Sequence, residues 1–261
     1  LPNGMVVPVS DATQIHKKST AGYFLSPNLD AVDLFIGCEG TLGVITEVEI
    51  RLIERPPNWL FQVIYFKNRE NLLTTFEAIR TNQKQRTVAL EYFDRNALNL
   101  ITAARVAQGS ASLLPRIPAG VDCALCVETL FDSEEELECI YEWFEQRLGT
   151  IGSSTDMTWA GFERSEIERM KTFRHTVPEQ INARVAEYKK RVPQLHKLST
   201  DMAVGDNVFR ELFAFYYEEL DVAGLEYVIF GHIGDNHVHV NMLPTSVAEL
   251  GTAKQLYRRF A

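Results

Sequence analysis

Three of the chain's six histidines lie within eight residues of one another, at positions 232, 237 and 239. Residues 237–242 alternate in polarity, so on a strand His237, His239 and Asn241 would share one face. The preceding Gly234-Asp235-Asn236 favours a turn, which would bring His232 back beside that face. Several imidazoles at one hairpin suit a divalent metal ion better than an apolar core, because unpaired polar rings are costly to bury. The cluster therefore predicts a metal site, whereas a lone histidine would favour a structural role.

Glycines recur at positions 37, 40 and 43, directly before a segment with strand character. Glycine allows the backbone to turn tightly and to approach a flat or charged ligand closely. The pattern differs from a dinucleotide-binding fingerprint, whose glycines lead into a helix. From the glycines alone, a hairpin or a β-bulge is the alternative to a ligand-binding loop.

The elements that would position these residues follow from hydrophobic periodicity. Residues 44–53 alternate between apolar and charged side chains, which predicts a half-buried strand, and Pro56-Pro57 marks a boundary after it. Beyond the prolines, strands alternate with helices and a hairpin follows, which predicts an α+β fold with a mainly antiparallel sheet. The predicted strands are 59–66, 88–93, 121–130, 226–233 and 237–243, and the predicted helices are 69–83, 97–107, 134–148 after a cap at Ser133, 162–190, 208–220 and one that begins at Ser246.

Composition narrows the class of protein. Hydrophobic residues make up 46% and charged residues 23%, as in a soluble globular domain, and no apolar run approaches the roughly 20 residues that span a bilayer. The net charge of −9 argues against a nucleic-acid partner. The first residues carry no recognisable targeting segment.

Two of the four cysteines, Cys123 and Cys126, form a C-x-x-C pair on a predicted strand. Residues three apart on a strand point to opposite faces. The pair therefore favours buried, reduced thiols in the cytoplasm or the mitochondrial matrix over a redox or zinc pair.

Two segments resemble known motifs. Residues 37–46, Gly-Cys-Glu-Gly-Thr-Leu-Gly-Val-Ile-Thr, resemble the G-S-E-G-T-L-G-[IV]-[IV]-T signature of the vanillyl-alcohol-oxidase-type flavoprotein superfamily, with Cys38 in the serine position. Residues 16–23 resemble the K-x-x-[ST]-G-Y element that precedes it. Residues 231–241 resemble the G-H-[IVL]-G-D-G-N-x-H-x-N motif of the D-lactate, glycolate and D-2-hydroxyglutarate dehydrogenase branch, except that Asn236-His237 replaces Gly-Asn.

The resemblance implies a domain organisation and an FAD site. Residues 1–55 would be the C-terminal part of an FAD-binding domain, and residues 56–261 a ferredoxin-like cap domain that binds substrate. The FAD contacts would be Gly37, Glu39, Gly40, Thr41, Gly43, Val44 and Ile45.

Two elements of the family pattern are expected outside residues 1–261. The P-x-G-G-G phosphate-binding element would precede Leu1. The E-H-G element, with a third metal ligand and the proposed catalytic base, would follow Ala261. No residue of this chain is therefore assigned as the base, and the chain alone is expected to be inactive.

The resemblance also implies residues for the metal and the substrate. His232 and His239 would bind the divalent metal, with zinc as the leading candidate and manganese or iron as alternatives; His237 falls outside the family's ligand positions. Arg174 matches an R-x-x-[IV]-x-E element whose guanidinium would grip the substrate carboxylate. Lys197 matches a K-x-x-x-D-[VIL]-x-[VL]-P element, with glycine in place of the proline, and Asn241 would approach the substrate.

The implied activity is FAD-dependent oxidation of a small D-2-hydroxy acid to the 2-keto acid, with metal-assisted deprotonation and hydride transfer to the flavin. The implied partners are the small-molecule substrate and an electron-acceptor protein or quinone, and an oligomer is compatible with the sequence. The open alternatives are a metal-free flavin oxidase of alcohols or phenols, a metal-dependent hydrolase and a non-catalytic binding module.

Overall fold

The computed structural model describes residues 23, 30–52, 58–82 and 86–261, and these form seven strands and six α-helices. The strands are β1 (Asn58–Phe66), β2 (Thr87–Phe93), β3 (Cys123–Phe131), β4 (Thr158–Gly161), β5 (Leu198–Ser199), β6 (Tyr227–Gly231) and β7 (His239–Met242). The helices are α1 (Arg69–Asn82), α2 (Arg95–Gln108), α3 (Glu134–Thr150), α4 (Arg164–Arg191), α5 (Phe209–Ala223) and α6 (Val247–Phe260).

The strands form one sheet in the order β4-β1-β3-β2-β6-β7-β5, and every described pairing is antiparallel. The prediction of an α+β fold with a mainly antiparallel sheet and flanking helices is therefore confirmed. The predicted strands and helices coincide with observed elements except in the segment before the two prolines. Strands β4 and β5 were not predicted, because four and two residues are too short to show alternation.

Helices cover both faces of the sheet, because the side chains of the central strands alternate between two apolar clusters. Leu60 and Ile64 of β1 lie in a cluster with residues of α1, α3, α5 and α6. Phe61 and Val63 lie in the opposite cluster with residues of α2 and α4. The predicted placement of Cys123 and Cys126 on opposite faces is also confirmed, since Cys123 belongs to the first cluster and Cys126 to the second, and both are buried.

Asp94 holds strand β6 against strand β2 by hydrogen bonds. Strand β6 leads into the histidine segment. The Asp94 carboxylate caps α2 by accepting from Ala97 N at 2.7 Å and also accepts from Ile229 N at 2.9 Å, while the Asp94 backbone N donates to Ile229 O at 2.9 Å. The side chain is buried, and burial raises the pKa of the Asp94 carboxyl to about 7. Because the described β2–β6 ladder has only two residue pairs, these bonds are a large part of the connection between the two strands.

The predicted strand at 44–53 is wrong over its described residues. Residues 44–52 form no strand, and Val44, Val48, Ile50 and Leu52 are exposed. A half-buried strand requires a neighbouring strand for its backbone groups and a core for its apolar face, and no described strand pairs with this segment. The predicted boundary at 55/56 lies outside the described residues. Among the described helices, none is both long and apolar enough to cross a bilayer.

We expect Asp94→Ala to lower the free energy of unfolding by about 2–3 kcal/mol, since it removes a helix cap and leaves buried backbone N–H groups without an acceptor. Asp94→Asn retains one side-chain acceptor oxygen and should cost less. Urea unfolding followed by circular dichroism measures both. The matched control is Ser133→Ala, which removes only the cap of α3 and should cost about 1 kcal/mol. Equal losses in Asp94→Ala and Ser133→Ala would contradict a joint role of Asp94 in α2 and β6.

Candidate functional site

A tight turn between β6 and β7 brings the histidines together. A single 3-10 turn, Ile233–Asp235, follows His232, and Asn236 then adopts a left-handed conformation with φ of 54°. The His237 backbone N donates to His232 O at 3.1 Å, which closes the turn. Strand β7 begins only at His239, so the prediction that His237 belongs to this strand is wrong. Left-handed geometry suits glycine or asparagine, which explains how Asn236 occupies the family's glycine position.

The three imidazoles converge despite this difference. The ring centroids of His237 and His239 are 4.4 Å apart, and each is 5.7 Å from the centroid of His232. His237 is buried, whereas His232 is half-exposed. Gly231 is required beside them, because its φ is +131° and a Cβ there would lie 2.7 Å from His239 Cδ2.

Hydrogen bonds orient two of these rings. His232 Nδ1 lies 2.7 Å from Glu91 Oε1, and His239 Nδ1 lies 3.0 Å from the Thr200 carbonyl oxygen. Both oxygens accept, so each Nδ1 carries the proton and donates, and each lone pair is on Nε2. Histidines that bind metals usually donate their second ring N–H to such an acceptor. These two rings therefore have the tautomer that a metal ion requires of them.

Thr200 joins the segment before Asp201 to strand β7. Its backbone N donates to Val240 O at 3.1 Å, its hydroxyl accepts from Val240 N at 3.0 Å, and the same hydroxyl donates to Val238 O at 3.5 Å. The residue is fully buried. Asp201 is thereby held beside the histidines, with Oδ1 at 2.6 Å from His237 Nε2.

Among the described residues, Asp201, His237 and His239 form a group of potential metal ligands whose candidate ligand atoms all lie within 4.8 Å of one another. Of the two ligands predicted from the resemblance, His239 belongs to this group and His232 lies beside it. A carboxylate with two imidazoles is a donor set that suits zinc and other divalent transition metals.

The sequence predicted both a catalytic base and a third metal ligand in one element after Ala261. Ala261 ends helix α6, and its backbone N donates to Tyr257 O at 3.1 Å. The catalytic base expected after Ala261 lies outside the described residues and stays a prediction. The third metal ligand was expected in the same element, whereas the structure places a third candidate, Asp201, inside the chain. Sequence reasoning missed it because Asp201 is far from the histidines along the chain.

Arg174 binds two glutamate carboxylates, one of which also contacts the histidine cluster. Its Nη2 donates to Glu91 Oε1 at 2.7 Å, the same oxygen that accepts from His232, and its Nη1 donates to Glu128. Both glutamates are nearly buried, with exposed side-chain fractions of 8% and 11%. Burial raises the pKa of Glu128, while the Arg174 charge acts in the opposite direction. Arg174 thus contacts two protein carboxylates in the manner predicted for a substrate carboxylate.

The other two predicted substrate contacts lie further from the rings. Asn241 shares a sheet face with His239 but is buried, and its amide lies near the carbonyl oxygens of Val228 (3.4 Å) and His239 (3.3 Å). Lys197 directly precedes β5, is half-buried, and makes none of the described hydrogen bonds to the cluster. The structure therefore connects Arg174 to the histidines through Glu91, and it shows no such connection for Lys197 among the described contacts.

The predicted FAD segment is turned and exposed. Gly37, Glu39 and Gly40 have φ of 76°, 50° and 77°. The Thr41 hydroxyl donates to Cys38 O at 2.6 Å and lies 2.9 Å from the Tyr23 hydroxyl. Gly43, Val44 and Ile45 continue the segment, and both Val44 and Ile45 are exposed. Residues 16–22 of the preceding element lie outside the described residues.

Three acidic residues of the site were not predicted: Glu91, Glu128 and Asp201. Glu91 and Glu128 stand in largely apolar stretches of the central strands β2 and β3, which is itself a signal because a charge inside a buried strand needs a partner. Asp201 occupies the aspartate position of the element around Lys197, and that position was the signal that could have found it.

A cavity of about 600 Å³ opens beside these residues. Glu91 and His232 line it together with Arg80 and Asp206. Arg80 donates to the Asn236 side chain at 2.8 Å and to Asp206, so it also supports the turn. The cavity leaves space for a small molecule to reach His232.

Comparison with known proteins shows which family this chain belongs to and which proteins it is similar to. Residues 56–260 match the family model described as FAD linked oxidases, C-terminal domain. The chain is 26% identical over 243 residues to D-2-hydroxyglutarate dehydrogenase of Stutzerimonas stutzeri, covering 92% of this chain and 47% of that protein. It is 25% identical over 248 residues to D-lactate dehydrogenase of Archaeoglobus fulgidus, covering 93% and 46%. The chain thus spans about half the length of these relatives.

A solved structure of alkyldihydroxyacetonephosphate synthase is similar in fold, with a TM-score of 0.52 and 11% sequence identity. The similarity covers 91% of this chain and 45% of that one. At this level of identity the match concerns the fold alone.

We expect Arg174→Met to destabilise the protein by about 3 kcal/mol at pH 8, because two nearly buried carboxylates lose their common cation. The loss should be smaller at pH 5.5. Without Arg174 the pKa of Glu128 rises further, and a raised folded-state pKa of an acid means stability that falls as pH rises through it. Urea unfolding at the two pH values measures this. Arg174→Lys retains the charge and should lose less, whereas an equal loss at both pH values would contradict the charge argument.

Proposed function

Since this chain belongs to the FAD linked oxidases through their C-terminal domain, we propose that it forms the substrate-binding part of an enzyme that oxidises a small D-2-hydroxy acid to the 2-keto acid. The relatives named D-2-hydroxyglutarate dehydrogenase and D-lactate dehydrogenase support the substrate class. In this proposal residues 1–55 contribute to the FAD-binding domain and residues 56–261 form the cap domain.

The observation that carries the proposal is the histidine cluster with its oriented rings. His232 and His239 each donate from Nδ1 to a protein oxygen, which places the ring lone pair on Nε2, the tautomer found in histidines that bind metals. The proposed cofactor is a divalent metal, with zinc the best match to the donors. A divalent ion supplies Lewis-acid chemistry, which lowers the pKa of a bound substrate hydroxyl. His239 belongs both to the ligand pair predicted from the resemblance and to the group that it forms with Asp201 and His237.

The residues around the cluster have supporting roles in the proposal. Glu91 holds the His232 ring, and Arg174 neutralises Glu91. A guanidinium has five N–H donors, so after its bonds to two glutamates Arg174 still has donors for a substrate carboxylate. Lys197 and Asn241 stay proposed substrate contacts on the basis of the resemblance, and the proposed base stays in an element that would follow Ala261.

The proposed FAD contact is the segment from Gly37 to Ile45. Its left-handed residues and exposed backbone favour close approach of a flat ring system. FAD, when bound, supplies the hydride acceptor. The electron acceptor that reoxidises the flavin is proposed to be a protein or a quinone.

The substrate prediction is tested on the protein in its natural full length, purified with FAD. D-lactate, glycolate or D-2-hydroxyglutarate should reduce an artificial dye and, without oxygen, bleach the flavin absorption. L-lactate and L-2-hydroxyglutarate serve as the matched controls and should be inactive, because a substrate whose hydroxyl and carboxylate are both held can direct its α-hydrogen at the flavin in only one enantiomer. Oxidation of phenols or simple alcohols, with no response to 2-hydroxy acids, would favour the metal-free oxidase instead.

The metal prediction concerns His239. The full-length protein should contain about one divalent ion per chain, lose activity to a chelator and regain it when metal is added back. His239→Ala should remove the ion, as measured by elemental analysis, and retain the flavin, because the proposed FAD contact is elsewhere. His196→Ala, an exposed histidine outside the cluster, is the control and should retain both. Activity that ignores chelators would contradict the metal-assisted mechanism.

A further inference from the structure

We propose that the cavity beside the histidine cluster selects a 2-hydroxy acid with a single carboxylate, because the wall of the cavity repels a second one. The proposal rests on the proposed function, which brings the hydroxyl end of the substrate to the histidines, and deepens it by naming the substrate class. The preferred substrate then carries an uncharged side chain on its α-carbon. D-lactate has such a side chain, whereas D-2-hydroxyglutarate carries a second carboxylate.

The cavity is the space into which the side chain of a substrate would extend. Its volume is about 600 Å³, and His232 lies on its wall together with Gly234 and Asp235 of the same turn. Other parts of the wall come from helix α1, strand β2 and helix α5. A molecule whose hydroxyl end lies at the histidine rings would therefore place the groups beyond its α-carbon in this cavity.

Acidic side chains outnumber basic ones on this wall. Among the described residues that line the cavity, four are acids and one is a cation: Glu77, Glu91, Asp206 and Asp235 against Arg80. Like charges brought together across a contact are strongly disfavoured, and proteins use such repulsion to reject a competing ligand. A second substrate carboxylate in the cavity would meet this repulsion, whereas an uncharged side chain would not.

Arg80 does not compensate the other acids of the wall. Its Nη1 donates to Asn236 Oδ1 at 2.8 Å, and its Nη2 forms a salt bridge with Asp206. The ring of Phe76 lies 5.2 Å from the central carbon of the guanidinium, and only 19% of the Arg80 side chain is exposed. The guanidinium is therefore held in place, and the Asp206 carboxylate balances its charge.

Two of the other acids have cationic partners outside the wall. Glu77 accepts from Arg210 Nη2 at 2.9 Å, and the hydrogen bond to Arg210 lowers the pKa of the Glu77 carboxyl. Glu91 accepts from Arg174 Nη2 at 2.7 Å. Neither arginine is among the described residues that line the cavity. The wall thus contributes carboxylates to the cavity, while the cations that bind them lie elsewhere.

The experiment compares two substrates of nearly equal size on the full-length protein, purified with FAD. One is D-2-hydroxyglutarate, and the other is its 5-amide, whose side chain carries no charge. Reduction of an artificial dye gives kcat/KM for each substrate. The 5-amide should be preferred by at least about 10-fold, because only the second carboxylate of D-2-hydroxyglutarate meets the acidic wall.

Two substitutions in the salt bridge between Arg80 and Asp206 should shift this preference in opposite directions. Asp206→Asn removes a negative charge from the wall and should reduce the preference for the 5-amide by about 5-fold or more, whereas Arg80→Gln removes the positive charge and should increase it. Both substitutions break the same salt bridge, so a purely structural loss would lower kcat/KM for the two substrates alike. Glu138→Gln, an exposed acid of helix α3 outside the wall, is the control and should leave the preference unchanged.

Equal kcat/KM for the two substrates, or a higher value for D-2-hydroxyglutarate, would overturn the substrate selection. Shifts in the same direction in Asp206→Asn and Arg80→Gln would overturn it as well, because a charge effect changes sign with the charge that is removed. Both outcomes leave the proposed function intact, since 2-hydroxy acids are still oxidised. A full-length protein that oxidises no 2-hydroxy acid would instead overturn the proposed function and the substrate selection together.

Discussion

Thr200 makes the hydrogen bonds on which the candidate site depends. It is fully buried, its N–H and hydroxyl bond to the backbone of β7, and its carbonyl oxygen accepts from the His239 ring. Two consequences follow from one residue. Asp201 is held against the histidines across 36 residues of sequence, and the His239 tautomer is set with its lone pair on Nε2. Without this connection the edge strand β5, two residues long, would have little to hold it on the sheet.

The second constraint is that buried charges need partners. Glu91 and Glu128 project from adjacent central strands towards α4, and Arg174 bridges them. Glu91 Oε1 also accepts from His232, so the same oxygen binds both Arg174 and one ring of the imidazole cluster. A substitution of Arg174 would therefore also change the hydrogen bond between Glu91 and His232. Arg174 can thus contribute both to stability and to the position of the His232 ring, because buried charged groups in one hydrogen-bond network depend on one another.

Backbone geometry explains two residues of the histidine turn. Gly231 leaves room for the His239 ring, and Asn236 adopts the left-handed conformation that ends the short 3-10 turn. The Asn236 side chain then bonds to Arg80, Val204 and Asp206, which glycine could not do. Asparagine in place of the motif's glycine at position 236 thus adds hydrogen bonds to the segment that carries Asp201. The next residue, His237, also departs from the family motif.

The sequence by itself determined the α+β class, the antiparallel sheet, most element positions, the opposite faces of Cys123 and Cys126, and the convergence of the histidines. These features depend on local periodicity and turn chemistry, which a single segment displays. Only the tertiary structure decided that residues 44–52 form no strand, that Arg174 binds Glu91 and Glu128, and that Asp201 joins the cluster. Each of these outcomes depends on a partner distant in sequence, and a strand, an ion pair or a ligand set exists only when that partner is brought within bonding distance.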